Sequence, residues 1–180
     1  WSDNDGDGFG DNPDGEGFDD CPNVWGTSWK DTFGCTDLDS DGWSDLADDF
    51  FNKPSQWNDT DGDGLGDNWR IDSWNASRLS HWPGHWIAGA YLADPSPLDR
   101  DNDGFEDVEL DMSMGPYDDC PDEPGDSFRD RYGCVDTDGD GWSDSFDDMP
   151  ENSDQYADSD GDGYGDAPGF PDSDDCPTRL

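Results

Sequence analysis

Basic residues are scarce in this 180-residue chain: Lys and Arg number 8 against 49 Asp and Glu, which gives a formal net charge of −41. So few cations cannot pair with a nucleic-acid backbone, which excludes nucleic acid as a partner. Hydrophobic residues make up 29% of the chain, against roughly 45–50% in typical globular domains. No apolar run approaches the ~20 residues of a membrane span. The sequence therefore predicts neither a conventional core nor a membrane segment.

A chain with this charge and this little apolar surface repels itself and stays disordered unless counter-ions bind. Ion binding and folding are then one equilibrium. The composition thus predicts a protein whose fold depends on cations.

Aspartate is abundant and stands in a fixed register. The segment 136–147 reads DTDGDGWSDSFD, with Asp at positions 1, 3, 5, 9 and 12 and Gly at position 6. A calcium loop of the EF-hand kind takes its oxygens from positions 1, 3, 5, 7, 9 and 12, and position 7 contributes its backbone carbonyl. Gly at position 6 allows the sharp turn. This spacing predicts a calcium site.

The same loop occurs six times, beginning at Asp3, Asp37, Asp59, Asp99, Asp136 and Asp158, and we number the loops in that order. Each has Asp at positions 1, 3, 5 and 9, Gly at position 6 and an apolar residue at position 7, so 24 of the 49 acidic residues are in register. An acidic disordered tract would have the charge without the register. We expect the position 7 side chain to pack on a neighbour.

We predict at least six calcium ions. The predicted ligands are Asp3, Asp5, Asp7, Phe9, Asp11 and Asp14; Asp37, Asp39, Asp41, Trp43, Asp45 and Asp48; Asp59, Asp61, Asp63, Leu65 and Asp67; Asp99, Asp101, Asp103, Phe105 and Asp107; Asp136, Asp138, Asp140, Trp142, Asp144 and Asp147; and Asp158, Asp160, Asp162, Tyr164 and Asp166.

Position 12 breaks the register in three loops, where it is Arg70, Leu110 or Gly169. These loops are expected to take their last ligand from elsewhere or to bind more weakly. The register also makes Asp118 peripheral at best, so that Asp140 should matter more.

Two pairs of cysteines, Cys21 with Cys35 and Cys120 with Cys134, have equal spacing and share the frame D-D-C-P…G-C-x-D-x-D. This favours two local disulfides, each stabilising by about 3 kcal/mol in the chain-entropy model. Zinc is excluded because paired C-x-x-C spacing is lacking. Disulfides and calcium together predict an extracellular or cell-surface location.

The loops define a longer repeat, which an aromatic residue (Trp1, Trp57 or Tyr156) opens. The predicted units are 1–56, 57–155 and 156–180. Cys176 lies in the third unit without a partner at the expected distance, which predicts a disulfide to a segment beyond Leu180 or to another chain.

Pro and Gly between the loops, and the absence of an amphipathic helix before the first loop, argue against paired EF-hands. The predicted fold class is irregular, with little regular secondary structure: elongated tandem calcium-loop repeats stapled by disulfides.

The six loops and the Asp-Cys-Pro triplets at 20–22, 119–121 and 175–177 resemble thrombospondin type 3 repeats and their bacterial and archaeal relatives. The resemblance covers nearly all of 1–67 and 98–180. It implies a calcium-replete, disulfide-linked array, often with more than one ion per motif. It also implies ligand roles for the acidic residues beside the cysteines, which are Asp19, Asp20, Asp118, Asp119, Asp174 and Asp175.

The resemblance does not cover an insert at about 68–97, which is rich in tryptophan. We expect a short helix within 68–82, ended by Pro83, and a strand or buried turn at 86–92. The insert's four tryptophans form either a small core or a contact surface for a glycan or protein. Asn75 in the insert and Asn58 beside the third loop are glycosylation candidates.

Nothing in the sequence combines a nucleophile with a base, and the carboxylates are spaced as cation ligands, so we do not expect an enzyme. The leading hypothesis is an extracellular structural protein, a calcium-rigidified rod or fibre subunit that self-associates into a longer array or filament. The alternative is a cell-surface adhesion module whose insert recognises glycan or protein.

Overall fold

The interior of the protein is mostly polar, as seen in a computed structural model that describes residues 2–76, 78, 80–107 and 116–178. The buried apolar side chains there are few, with Phe50 the largest, whereas buried aspartates and two fully buried glutamines, Gln56 and Gln155, are prominent. Trp1, Ser77, Leu79 and Leu110 lie outside the described residues.

Regular secondary structure is almost absent, as the composition predicts. One 3-10 helix, Asp72–Ala76, is the only helix in the described ranges, and it lies within the segment where a short helix is expected. Residues 86–92 form no strand. Trp86 instead makes one isolated parallel bridge with Trp69. Gly and Pro at short intervals and charge repulsion between aspartates prevent longer elements.

None of the helices in the described part of the chain is long and apolar enough to cross a membrane.

The two cystine segments have the same local structure. The disulfides join Cys21 to Cys35 and Cys120 to Cys134, the pairs that the equal spacing predicts. Beside each bond, the hydroxyl of a buried serine accepts a hydrogen bond from the second cysteine's N–H at 3.0 Å.

The chain divides into two compact units, 1–97 and 98–180. Each unit contains three of the aspartate loops and one disulfide. The repeat boundaries at 56 and 155 are sequence boundaries and stay a prediction.

Candidate metal centres

The carboxylates at positions 1, 3 and 5 converge in the first five loops. Within each triad, one oxygen from each carboxylate lies within 4.8 Å of the others. Three like charges at this spacing repel strongly unless a cation or protons neutralise them. These triads are Asp3, Asp5 and Asp7; Asp37, Asp39 and Asp41; Asp59, Asp61 and Asp63; Asp99, Asp101 and Asp103; and Asp136, Asp138 and Asp140.

Backbone N–H groups fix the position 1 carboxylate in the loop. In the fifth loop, the N–H of Gly139 donates to Asp136 Oδ1 at 2.8 Å and that of Gly141 donates to Oδ2 at 2.7 Å. The bond from position 6 to position 1 recurs in all six loops, at 2.7 to 3.3 Å. The sixth loop, which begins at Asp158, is therefore built in the same way.

Glycine is required at position 6. Gly141 has φ of 99°, in the left-handed region, and a Cβ there would lie 2.7 Å from the ring of Phe128. A residue with a side chain would be strained and would clash.

The position 3 carboxylate is left with one oxygen that nothing in the described residues satisfies. Its Oδ1 accepts the N–H of position 5, as between Asp140 and Asp138 at 3.1 Å. Its Oδ2 is buried without a hydrogen-bond partner in four loops, at Asp5, Asp39, Asp101 and Asp138. A buried carboxylate oxygen with no partner costs free energy, which a directly bound cation would offset.

The oxygens of position 9 are mostly engaged in closing the loop. In the fifth loop, Asp144 accepts hydrogen bonds from the N–H and the hydroxyl of Thr137, at 2.7 and 2.6 Å. The fourth loop differs, because Asp107 Oδ1 is buried without a hydrogen-bond partner among the described residues. Direct ligation by position 9 stays a prediction.

The side chain at position 7 packs on an aromatic neighbour in four loops, as expected. Its N–H donates to the position 5 carboxylate in all six loops. The closest pair is Trp142 with Tyr156, whose rings stack at 4.5 Å and 5°. The other pairs are Phe9 with Phe33, Trp43 with Trp57, and Phe105 with Tyr132.

Each loop also has one aspartate that follows its position 9 and makes a tight turn. Its Oδ1 accepts the N–H of the residue two places later, at 2.6 to 2.7 Å. We call these residues the closing aspartates. In loop order they are Asp19, Asp48, Asp94, Asp118, Asp147 and Asp174.

Two of the closing aspartates, Asp48 and Asp147, are the expected position 12 residues and are buried. In the first loop, the structure favours Asp19 as the last ligand, whereas the register predicts Asp14. Asp14 is exposed because the turn at 12–15 directs it outward, whereas Asp19 is 2% exposed and its Oδ2 is buried without a hydrogen-bond partner in the described chain.

Asp118 lies closer to its loop than the register predicts, and its smaller importance than Asp140 for calcium binding stays a prediction. Asp118 is 8% exposed, and a Cβ on Gly133 would lie 2.2 Å from its Oδ1. Burial first, and then the charges of Asp103 and Asp101, raise the pKa of Asp118 to about 6. The register missed this because Asp118 lies beyond position 12 in sequence.

Burial and neighbouring negative charges raise the pKa of other carboxyl groups in the same way. Burial raises the pKa of Asp48 to about 6, and the charges of Asp41 and Asp39 add to the rise. Burial, with the charge of Asp103 adding, also raises the pKa of Asp99 to about 6. Without a cation, the fold thus disfavours the ionised form of these carboxyl groups.

Asp94 is the closing aspartate that sequence analysis missed. The signal was an Asp-x-x-Pro pattern, which Asp94–Pro97 shares with the segments that begin at Asp19, Asp118 and Asp174. It was overlooked because Asp94 has no cysteine beside it and is far from its loop in sequence.

The Trp-rich insert is organised around Arg78. The guanidinium carbon lies 4.2 Å from the ring centroid of Trp69 and 5.4 Å from that of Trp82. Its N–H groups donate to the backbone carbonyls of Asp67, Pro83 and Asp94, at 3.2, 2.8 and 3.0 Å. Both ends of the insert are therefore held by one side chain.

Both glycosylation candidates are exposed. The side-chain oxygen of Asn75 accepts a hydrogen bond from the indole N–H of Trp69 at 2.7 Å, which ties it to the insert. Asn58 lies just before the third loop.

No protein-family model matches the chain, and no curated protein is significantly similar to it.

Proposed function

We propose that the protein is an extracellular structural protein of the thrombospondin type 3 kind, a calcium-rigidified rod or fibre subunit with at least six ions. The observation that carries the proposal comes from four loops, in which a buried position 3 oxygen lies beside other carboxylates and has no hydrogen-bond partner among the described residues. A set of oxygen donors with several carboxylates suits a hard cation, and flexible loops that offer six to eight oxygens favour calcium over magnesium.

The interior supports a structural role for the ions. Because polar side chains fill most of the buried positions, apolar burial supplies little stabilisation. Calcium bound at each loop would neutralise the carboxylates and fix the surrounding turns at once. The disulfides are consistent with an oxidising exterior.

Isothermal titration with calcium, with ion counting by native mass spectrometry, tests the proposal. We expect at least six ions per chain and tighter binding of calcium than of magnesium. Asp138→Asn removes one charge at an oxygen without a partner and should weaken the fifth loop. The matched control, Asp72→Asn, removes a charge from an exposed residue of the 3-10 helix and should leave binding unchanged. Fewer than six ions, or equal effects of the two variants, would contradict the proposal.

Self-association is the second part of the proposal. Cys176 is exposed and outside the two disulfides, in the same Asp-Asp-Cys-Pro frame as Cys21 and Cys120. A disulfide from Cys176 to a second copy or to a further repeat would extend the array. Non-reducing electrophoresis of the chain and of its Cys176→Ser variant tests this. A disulfide-linked species that the variant lacks is expected, whereas a free thiol in a monomer at high concentration would contradict it.

The adhesion alternative is less well supported by the insert's contacts. Trp69 and Trp82 lie against the guanidinium group of the half-buried Arg78, so they serve the insert's own packing. We therefore assign the insert to the structural role.

A further inference from the structure

The third loop has no acidic residue at position 12, where it has Arg70, and it is followed by the whole insert. Arg70 is exposed and cannot ligate a cation. The loop must therefore be completed by another residue if it binds calcium as the other loops do.

Asp94, at the far end of the insert, is the residue that returns to this loop. Its N–H donates to the carbonyl of Gly66, at position 8 of the loop, at 2.9 Å. In the first and sixth loops, Asp19 and Asp174 make the same bond to position 8. Asp94 thus occupies the place of a closing aspartate even though 26 residues, 68–93, separate it from position 9 of the loop.

The carboxylate of Asp94 is buried and incompletely satisfied. The residue is 0% exposed. Its Oδ1 accepts the N–H of Ser96 at 2.7 Å, but its Oδ2 has no hydrogen-bond partner among the described residues. After burial, the negative charges of Asp61 and Asp63, at positions 3 and 5, raise the pKa of this carboxyl group, so Asp94 lies close to the triad.

Arg78 is the one cation near Asp94 in the described chain, but its hydrogen bonds there do not satisfy the carboxylate. The three bonds of its guanidinium all go to backbone carbonyls, that of Asp94 itself included. Arg78 therefore fixes the backbone of Asp94 and leaves its Oδ2 available. With Asp61 and Asp63 close by, three carboxyl groups face one guanidinium charge, so the net charge around Asp94 is negative when they are ionised.

We propose that Asp94 is a direct calcium ligand of the third loop, so that the ion ties the far end of the Trp-rich insert to the loop from which the insert departs. The assignment rests on the proposed function, since it presupposes that the loops bind calcium. It adds a ligand that the register does not contain. It also makes the folding of the insert depend on the ion. A bound ion would fix Asp94, whose backbone carbonyl is one of the three that Arg78 binds.

Asp94→Asn tests the assignment, because asparagine keeps the size and the Oδ1 acceptor but loses the charge. Asp72→Asn is again the matched control, with the same charge change inside the same insert. Calcium titration of Asp94→Asn should show one ion lost or one site weakened by at least about tenfold. Hydrogen exchange in 68–93 should rise in this variant while exchange in 21–35 stays unchanged.

The outcomes separate this assignment from the proposed function. A wild-type chain that binds fewer than six ions contradicts the proposed function, and with it the premise of the assignment. A wild-type chain with six or more ions and an Asp94→Asn variant with unchanged binding overturns the assignment alone.

A crystal structure of the unmodified chain with calcium gives a test that does not depend on the variant's folding. An ion at roughly 2.3–2.6 Å from Asp94 Oδ2 supports the assignment. An ion in the third loop with only water or other residues at that coordination position overturns it.

Discussion

The third and sixth loops are built on the same frame but are closed by connections of very different length. In the sixth loop, a short turn at 167–173 leads from position 9 to Asp174, whereas in the third loop the whole of 68–93 comes before Asp94. The two ends of each connection nevertheless meet in the same way. The closing N–H donates to position 8 at 2.9 Å from Asp94 and at 2.8 Å from Asp174.

Each of the two loops is supported by its own buried glutamine. Gln56 Oε1 accepts the N–H of Asn68 at 3.0 Å, and its Nε2 donates to the carbonyl of the same residue at 2.8 Å. Gln155 makes the same pair of bonds with Ala167, at 2.8 and 2.9 Å. The comparison shows that an insertion after position 9 leaves the loop intact when its two ends are fixed.

The largest difference between the two loops should come from Arg78, which has no counterpart at the sixth loop in the described part of the chain. Arg78→Leu removes three hydrogen bonds and a cation between two indole rings. We expect a loss of about 2–3 kcal/mol in unfolding free energy, measured by denaturant titration in calcium.

Hydrogen exchange should locate that loss in 66–94 and leave 155–174 unchanged. Arg70→Leu, at an exposed arginine next to the same loop, is the control and should have little effect. A loss that spreads equally to the sixth loop would mean that Arg78 acts through overall charge rather than through the insert.

The shared frame itself can be tested at position 8. A Cβ on Gly66 would lie 2.1 Å from Gln56 Oε1, and a Cβ on Gly165 would lie 2.1 Å from Gln155 Oε1. Gly66→Ala and Gly165→Ala should therefore each destabilise the protein by about 1–3 kcal/mol, measured by thermal unfolding in calcium.

Adding Gln56→Ala to Gly66→Ala relieves the clash, so the double variant should lose less stability than the sum of the two single variants. Simple additivity would show that the contact between Gly66 and Gln56 is not what the substitution disturbs.

Much of this architecture could be predicted from the sequence, because the aspartate register and the cystine frames are local. The carboxylates of Asp136, Asp138 and Asp140 converge across a few residues, and so spacing alone specifies them. The closeness of Asp118 to its loop was missed because Asp118 lies beyond the twelve positions of the register. Asp94 could not be assigned to the third loop from the sequence. The connection between position 9 and the closing aspartate can have any length as long as its two ends are fixed.

The insert was predictable only in outline. A short helix was expected from the spacing of Ile71, Trp74 and Arg78, and a 3-10 helix forms at Asp72–Ala76. The central position of Arg78 was not expected, because its partners are backbone carbonyls, which a sequence pattern does not display. Ile71 is 39% exposed and does not form the apolar face that its spacing suggests.

Exchanging the connections should have a smaller effect than either set of substitutions. If residues 68–93 are replaced by the sequence of 167–173, Asp67 and Asp94 remain and the loop can close as the sixth loop does. We expect the number of calcium ions to be unchanged, as measured by native mass spectrometry. Loss of one ion would show that the insert contributes more than Asp94 to the site.

The smallest effect concerns pH. Burial first, and then the charges of Asp61 and Asp63, raise the pKa of Asp94 to about 7 from 3.8. A raised pKa in the folded state means that the protonated carboxyl stabilises the metal-free fold below pH 3.8, and that this contribution is lost as the pH rises to about 7. Calcium needs the carboxylate, so its affinity should rise over the same interval.

Calcium titrations at pH 5.5 and 7.5 check this pH dependence, and Asp94→Asn should reduce it. An affinity that does not change between the two values, in the wild-type chain, would contradict it.

The central claim is that cations hold this fold together, and small-angle scattering of the whole chain in excess chelator and in calcium tests it most directly. In chelator we expect the radius of gyration of an unfolded chain, about 45 Å for 180 residues. Addition of calcium should give a smaller, defined particle. A chain with the same scattering profile in chelator as in calcium would contradict the account.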